Sequence, residues 1–141
     1  MRNFEKELPM FIGEKKKDVY LKKFSDLNDK IVGWNWCAFL LSGIWMLYRK
    51  MYLFFFGLTA ISVIITMLFG ELMDNQVFNL VISLALGACV GLFGDKLYYI
   101  HAKRKFDKSE SYEAFIRKGG TNLLAPIIFI VIIMFLSFLG Q

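Results

Sequence analysis

The sequence predicts an all-α fold, a multi-pass membrane helical bundle with three transmembrane helices plus one interfacial or re-entrant, aromatic-rich helix. Three observations point there. Of 141 residues, 57% are hydrophobic and 17% aromatic, with a mean hydropathy of +0.50, more apolar surface than so small a domain has interior to bury. The apolar residues fall in long uncharged runs of lipid-spanning length. The basic residues gather beside one set of run ends, as topology determinants do. The net charge of +5 and the pI near 9.2 therefore read as membrane orientation, and no nucleic-acid partner is expected.

Residues 1–30 read as a charged cytoplasmic segment, with eight Lys or Arg against six acids. Within it, Val19, Leu21, Phe24 and Leu27 follow Asp18 and alternate with Lys22, Lys23 and Asp26, the spacing of a short amphipathic helix lying on the membrane surface. The segment lacks the short apolar stretch of a cleaved signal, so the mature chain is expected to begin at Met1.

Residues 31–141 form the membrane domain. Its first element, 31–48, is apolar but bounded by Lys30 on one side and by Arg49 and Lys50 on the other. Both flanks favour the same face of a bilayer, and the run is marginal for crossing, so it reads as an interfacial helix. Asn35, Ser42 and Arg49 recur every seven residues on one stripe, and Trp34, Trp36, Trp45 and Tyr48 are of the type that sits at headgroup level.

Residues 51–70 carry no charge and are long enough to cross. The following loop has Glu71 and Asp74 and no basic residue, which places it outside. Residues 77–99 return inward, with Ser83, Gly87 and Gly91 on one smooth face that suits either a neighbouring span or a second copy. Asp95 and Lys96 mark the inner boundary, and an ion pair from Asp95 to Arg49 is one expectation, a solvated boundary charge the other. His101 is expected to face headgroups within the basic run that includes Lys103, Arg104 and Lys105.

Residues 101–121 then form a cytoplasmic loop with a short amphipathic helix, started by Asp107 and Glu110, edged by Phe115 and Ile116 and ended by Gly119 and Gly120, with Thr121 as the next cap. The last span, 122–139, has Pro126 near its start, where a missing N–H is tolerated. The resulting topology has the N-terminus cytoplasmic and the C-terminus external.

No chemistry competes with these contacts. One histidine and two cysteines, Cys37 and Cys89, in separate apolar runs do not make a metal site, and Cys89 lies too far along its helix from His101 to form a nucleophile pair. Gly91 to Gly94 lacks the strand-loop-helix setting of a phosphate loop, and no ionisable residue lies deep in the spans, as ion-coupled transport would need. Neither enzymatic activity nor a cofactor is expected.

The segments NWCAFLLSGIWMLYRKMY at Asn35 to Tyr52, GDKLYYIHAKRK at Gly94 to Lys105 and RKGGTN at Arg117 to Asn122 carry a likeness from about residue 20 to the C-terminus. They resemble the domain of unknown function 2628, an uncharacterised family of small bacterial inner-membrane proteins. Members often place a proline where this chain has Ser42 or Gly43, so its helix is expected to bend less there. The resemblance implies a bacterial inner-membrane location and carries no activity or cofactor. The functional expectation is a non-enzymatic interaction or structural component, self-associating or accessory to another membrane protein through Ser83, Gly87 and Gly91 and the aromatic helix. The alternative is binding of anionic membrane lipids by Arg49, Lys50, Lys96, Lys103, Arg104 and Lys105, with a small channel or transporter behind both.

Overall fold

Eight helices make up the fold, and no strand occurs among the described residues, which in this computed structural model are 2–13, 17–29 and 33–140. They are α1 (Phe4–Ile12), α2 (Lys17–Asp29), α3 (Trp36–Tyr48), α4 (Tyr52–Leu68), α5 (Gly70–Met73), α6 (Gln76–Asp107), α7 (Tyr112–Lys118) and α8 (Leu124–Leu139). Expectations placed on Lys15, Lys16, Lys30, Ile31, Val32 and Gln141, and on the side chain of Leu27, lie outside the described residues.

The longest element, α6, starts where the Asn75 side chain accepts from the backbone N–H groups of Val77 and Phe78. Its 32 residues span about 48 Å at 1.5 Å per residue. It is the one helix among the described residues long and apolar enough to cross a membrane by itself, and only 22% of its most apolar stretch is buried. The expected crossings at 51–70 and 122–139 become helices of 17 and 16 residues, α4 and α8, short of that length. The basic run at 101–105, expected in a loop, is helix, because α6 runs on unbroken to Asp107.

The segment 31–48 departs most from a regular helix. α3 begins at Asn35, whose side chain accepts from the Ala38 N–H at 3.0 Å. It breaks at Ser42, where φ 33° and ψ −102° are non-helical. The expectation of a less bent helix without proline is therefore overturned; the bend is at Ser42 itself, in a backbone region L-residues rarely occupy. With that break, Asn35, Ser42 and Arg49 do not share one continuous helical stripe.

The two ends of α3 come back to the same level of α6. The Asn35 side chain bonds Asp95 and the Arg49 guanidinium lies over Tyr98, three residues further along α6, about 4.5 Å of rise. In a straight helix, residues 35 and 49 would be about 21 Å apart. Between them the chain descends until Phe39 packs over Gly87 and Gly91, turns at Ser42, and returns so that Ala38 and Trp45 both touch Gly94. This fold-back makes α3 the hub of the molecule, in contact with α4, α6 and α8.

Glycine makes the close approach possible. A Cβ at Gly91 would lie 2.9 Å from Phe39 Cβ, and one at Gly94 would lie 2.9 Å from Ala38 Cβ. With no side chain in the way, the Gly33 and Asn35 N–H groups donate to the Leu92 and Gly91 carbonyls at 3.3 and 2.9 Å. The small-residue face at Gly87 and Gly91 is thus filled internally by α3. Ser83, expected on the same packing face, is exposed, its hydroxyl donating to the Asn79 side chain at 3.3 Å.

The N-terminal segment is a helical cap rather than a solvated leader. α1 is started by Asn3, whose side chain accepts from Glu5 and Lys6 N–H, and stopped by Gly13 at φ 83°. It buries Leu8, Phe11 and Ile12, and α2 buries Tyr20 and Phe24, four residues apart on one face. Val19, expected on the apolar face of α2, is exposed instead. Phe11 stacks on Phe115 of α7 with ring centres 4.6 Å apart, and the α7 stop explains RKGGTN: the Gly120 N–H donates to Phe11 O at 2.6 Å, and no Cβ fits between Gly119 and that carbonyl. Ser111 rather than Asp107 or Glu110 caps α7, accepting from the Ala114 N–H, and Asn122 rather than Thr121 satisfies the first N–H groups of α8.

Candidate functional site

Where the cap meets the C-terminal half of α6, charged and aromatic side chains are packed out of solvent. Asp95 is 1% exposed and each of its carboxylate oxygens has a partner: Oδ1 accepts from Asn35 Nδ2 at 2.6 Å and Oδ2 from Lys23 Nζ at 2.8 Å. The carboxylate thereby ties α2, α3 and α6 together. Neither expectation for Asp95 holds, since its counter-ion is Lys23 and not Arg49, and it is not a solvated boundary charge. Lys23, on a cap helix far away in sequence, offered no signal beyond its place on an amphipathic segment.

Arg49 is 3% exposed and, among the described residues, is held by rings rather than by acids. Its guanidinium carbon lies 4.3 Å from the Tyr20 ring centre and 5.2 Å from that of Tyr98, an aromatic clamp for a cation. Nη1 donates to Ile12 O at 3.4 Å, while Nε has no partner. The neighbouring Lys50, at φ 58°, turns the other way and donates from Nζ to Gly119 O at 2.5 Å, fixing the α7–α8 connection. This anchoring, together with the Asn122 N–H donating to Tyr48 O at 2.8 Å, makes Lys50 and Tyr48 parts of the scaffold.

The His101 side chain, expected to face headgroups, is 4% exposed, with its ring centre 6.2 Å from that of Phe11 and 6.3 Å from that of Phe54. Nε2 has no partner. Burial first, then the nearby Lys105 and Arg104 charges, push its pKa down from 6.5 to about 4, so the ring is neutral at physiological pH.

Of the residues singled out from the sequence, the structure brings Asn35, Trp45, Arg49 and Asp95 into one cluster. Trp36 stands outside it, 65% exposed, with Trp34 edge-on at 5.3 Å. Lys96, Lys103 and Arg104 line a separate shallow groove with Tyr99, Ile100, Asp107 and Lys108, on an exposed face of α6, while Lys105 is partly covered. No group of three His, Cys, Asp or Glu side chains converges as metal ligands would among the described residues. What the cluster can do chemically is hold an anion at Arg49 and lock the fold at Asp95. The members that sequence reasoning missed, Tyr20, Lys23 and the buried role of Tyr98, come together only through the cap.

No curated protein and no solved structure matches the chain. A family model described as a protein of unknown function, DUF2628, matches residues 8–104, beginning earlier than the likeness at residue 20 and ending before RKGGTN. The matched stretch contains every member of the buried cluster and excludes α7 and α8. Covering well over half of the sequence, from α1 to the inner part of α6, this match establishes that the chain belongs to the DUF2628 family.

Proposed function

We propose that this chain is a non-enzymatic integral protein of a bacterial inner membrane, with α4, α6 and α8 crossing, α3 re-entrant from the cytoplasmic side, and the cap formed by α1, α2 and α7 in the cytoplasm. The observation that carries the reading is the fold-back of α3, whose polar ends, Asn35 and Arg49, sit at one level of α6 while its apolar middle is turned away from them. Supporting it is the outer skin: Ile128, Val131, Met134, Phe135 and Phe138 of α8 and Phe56, Ile64 and Met67 of α4 are all at least half exposed, a surface suited to lipid. The acidic stretch with Glu71, in α5, and Asp74 lies at the opposite end of α6 from the basic run Lys103 to Lys105.

Its role in this reading is contact with anionic lipid at the inner leaflet, through the Lys96, Lys103, Arg104 face and the Arg49 region. A second reading, contact with another copy or a membrane partner, is favoured by one feature: α4 and α6 are separated by a cleft of about 500 Å³ lined by Gly57, Ile61, Leu86 and Phe93, where a further helix could insert.

Alkaline extraction of membranes tests the location, and the chain should stay with the pellet; recovery in the soluble fraction without detergent would overturn the reading. For the lipid role, detergent-purified protein should retain anionic phospholipid in a salt-sensitive manner, and Lys103→Gln with Arg104→Gln should reduce that retention. Retention indifferent to both salt and these substitutions would contradict it.

A further inference from the structure

Between the returning half of α3 and α8 runs a groove of about 410 Å³, walled by Leu41, Ile44, Trp45, Pro126, Ile127 and Ile130 and closed at one end by Arg49 and Tyr20. The walls are aliphatic and aromatic, and Leu41, Ile127 and Ile130 are on the outer surface, between 42% and 48% exposed, so the groove opens sideways onto the apolar skin. Its volume is within the range of small-molecule sites.

At the closed end the chemistry changes. A guanidinium has five N–H donors, and here one makes a 3.4 Å bond while Nε, fully buried, makes none. The ion pairs among the described residues are Arg2 with Glu7 and Lys23 with Asp95, so no carboxylate there neutralises Arg49. A buried cation is costly without a counter-ion, and stacking on Tyr20 and Tyr98 offsets only part of that cost.

We infer that the groove binds an anionic phospholipid of the surrounding bilayer, its phosphate accepting from the Arg49 guanidinium and one acyl chain lying along Ile44, Trp45, Ile127 and Ile130. Charge complementarity selects the headgroup, since a phosphate supplies both the missing negative charge and the missing acceptors. The lateral opening selects the tail, because a water-soluble anion would leave the apolar walls uncovered. The site rests on the membrane and lipid reading above and deepens it by assigning the groove that receives the lipid, the side chain that takes the phosphate and a path for the acyl chain.

The test uses the full chain in nanodiscs with Trp34→Phe and Trp36→Phe, which leaves Trp45 in the groove wall as the single tryptophan. Brominated phosphatidylglycerol and brominated phosphatidylcholine are titrated as quenchers. Half-maximal quenching is expected at about tenfold lower mole fraction for phosphatidylglycerol, and Arg49→Gln should abolish the difference. Ile127→Phe, which fills the groove and leaves Arg49 intact, should weaken quenching by both lipids, and covers the case in which Arg49→Gln does not fold. Equal quenching by the two lipids in the Arg49 protein, or a preference that survives Arg49→Gln, would overturn the proposal. Glu14, two residues beyond Ile12 and outside the described residues, supplies a further arm: a preference that is absent in the parent and appears only in Glu14→Gln means that the anion is Glu14, which also overturns it. Quenching by neither lipid, or failure to enter nanodiscs, would instead count against the membrane reading itself.

Discussion

Replacing Asp95 by Ala removes the acceptor on which α2, α3 and α6 converge, and the structure allows the cost to be worked out bond by bond. The Asn35 amide loses a fully buried bond to a charged oxygen at 2.6 Å, worth about 1.5–3 kcal/mol, and is left as a buried orphan donor at about 1–3 kcal/mol more. The Lys23 contribution is smaller, about 1 kcal/mol at most, because that side chain keeps 31% of its exposure and can turn to water. Asp95→Ala should therefore destabilise by about 2.5–7 kcal/mol. Asp95→Asn, which keeps one acceptor for Asn35, should lose only about 1–2 kcal/mol. Reversible denaturation in mild detergent measures both, and a double-mutant cycle with Asn35→Ala should give a coupling of about 1–2 kcal/mol. Asp95→Ala within about 0.5 kcal/mol of the parent, or additive single effects, would refute the assignment of Asp95 as the fastener.

Gly94→Ala places a methyl carbon 2.9 Å from Ala38 Cβ, well inside a normal contact, and should cost about 1–3 kcal/mol, whereas Ser83→Leu on the exposed side should stay within about 0.5 kcal/mol; equal effects in a thermal-shift assay would contradict internal packing of the stripe. Ser42→Gly should raise stability by about 1 kcal/mol by relieving the positive φ, and Ser42→Ala should not; the reverse order would mean that α3 is unbroken in solution. His101 is held neutral down to about pH 4, while in the unfolded chain it takes a proton near 6.5. Stability on its account is therefore flat above pH 6.5 and falls as the pH drops from about 6.5 to about 4. Melting curves at several pH values, compared with His101→Gln, should isolate that slope, and identical slopes in the two proteins would contradict the burial of the ring.

How much of this was legible in the sequence follows from the range of the forces involved. Helix positions were readable because apolar runs and turn residues act locally, and Asn35 and Arg49, both singled out on 31–49, do lie at one level of α6. Ser42 was not readable as a break: no proline or glycine stands at that position, and the turn is imposed by tertiary contacts of Phe39, Ala38 and Trp45 with α6. The glycine stripe was visible but not its occupant, since a smooth face is equally suited to an internal helix and to a second copy. The cap was misread because α1 and α2 mix acidic and basic residues throughout, and the few residues that bury, Leu8, Phe11, Tyr20 and Phe24, matter only once α6 and α7 are there to receive them. The Lys23 and Asp95 pair, 72 residues apart in sequence, is beyond any local signal.

The most direct measurement of the central claim is sidedness. In a background without Cys37 and Cys89, single cysteines at Lys50, Asn75 and Lys108 are challenged in intact cells with a membrane-impermeant thiol reagent, and again after permeabilisation. If α3 folds back as described, Asn75 labels from outside, while Lys50 and Lys108 label only once the membrane is opened. Labelling of Lys50 from outside in intact cells would mean that 31–48 crosses, that the ends of α3 are on opposite faces, and that the re-entrant arrangement is wrong.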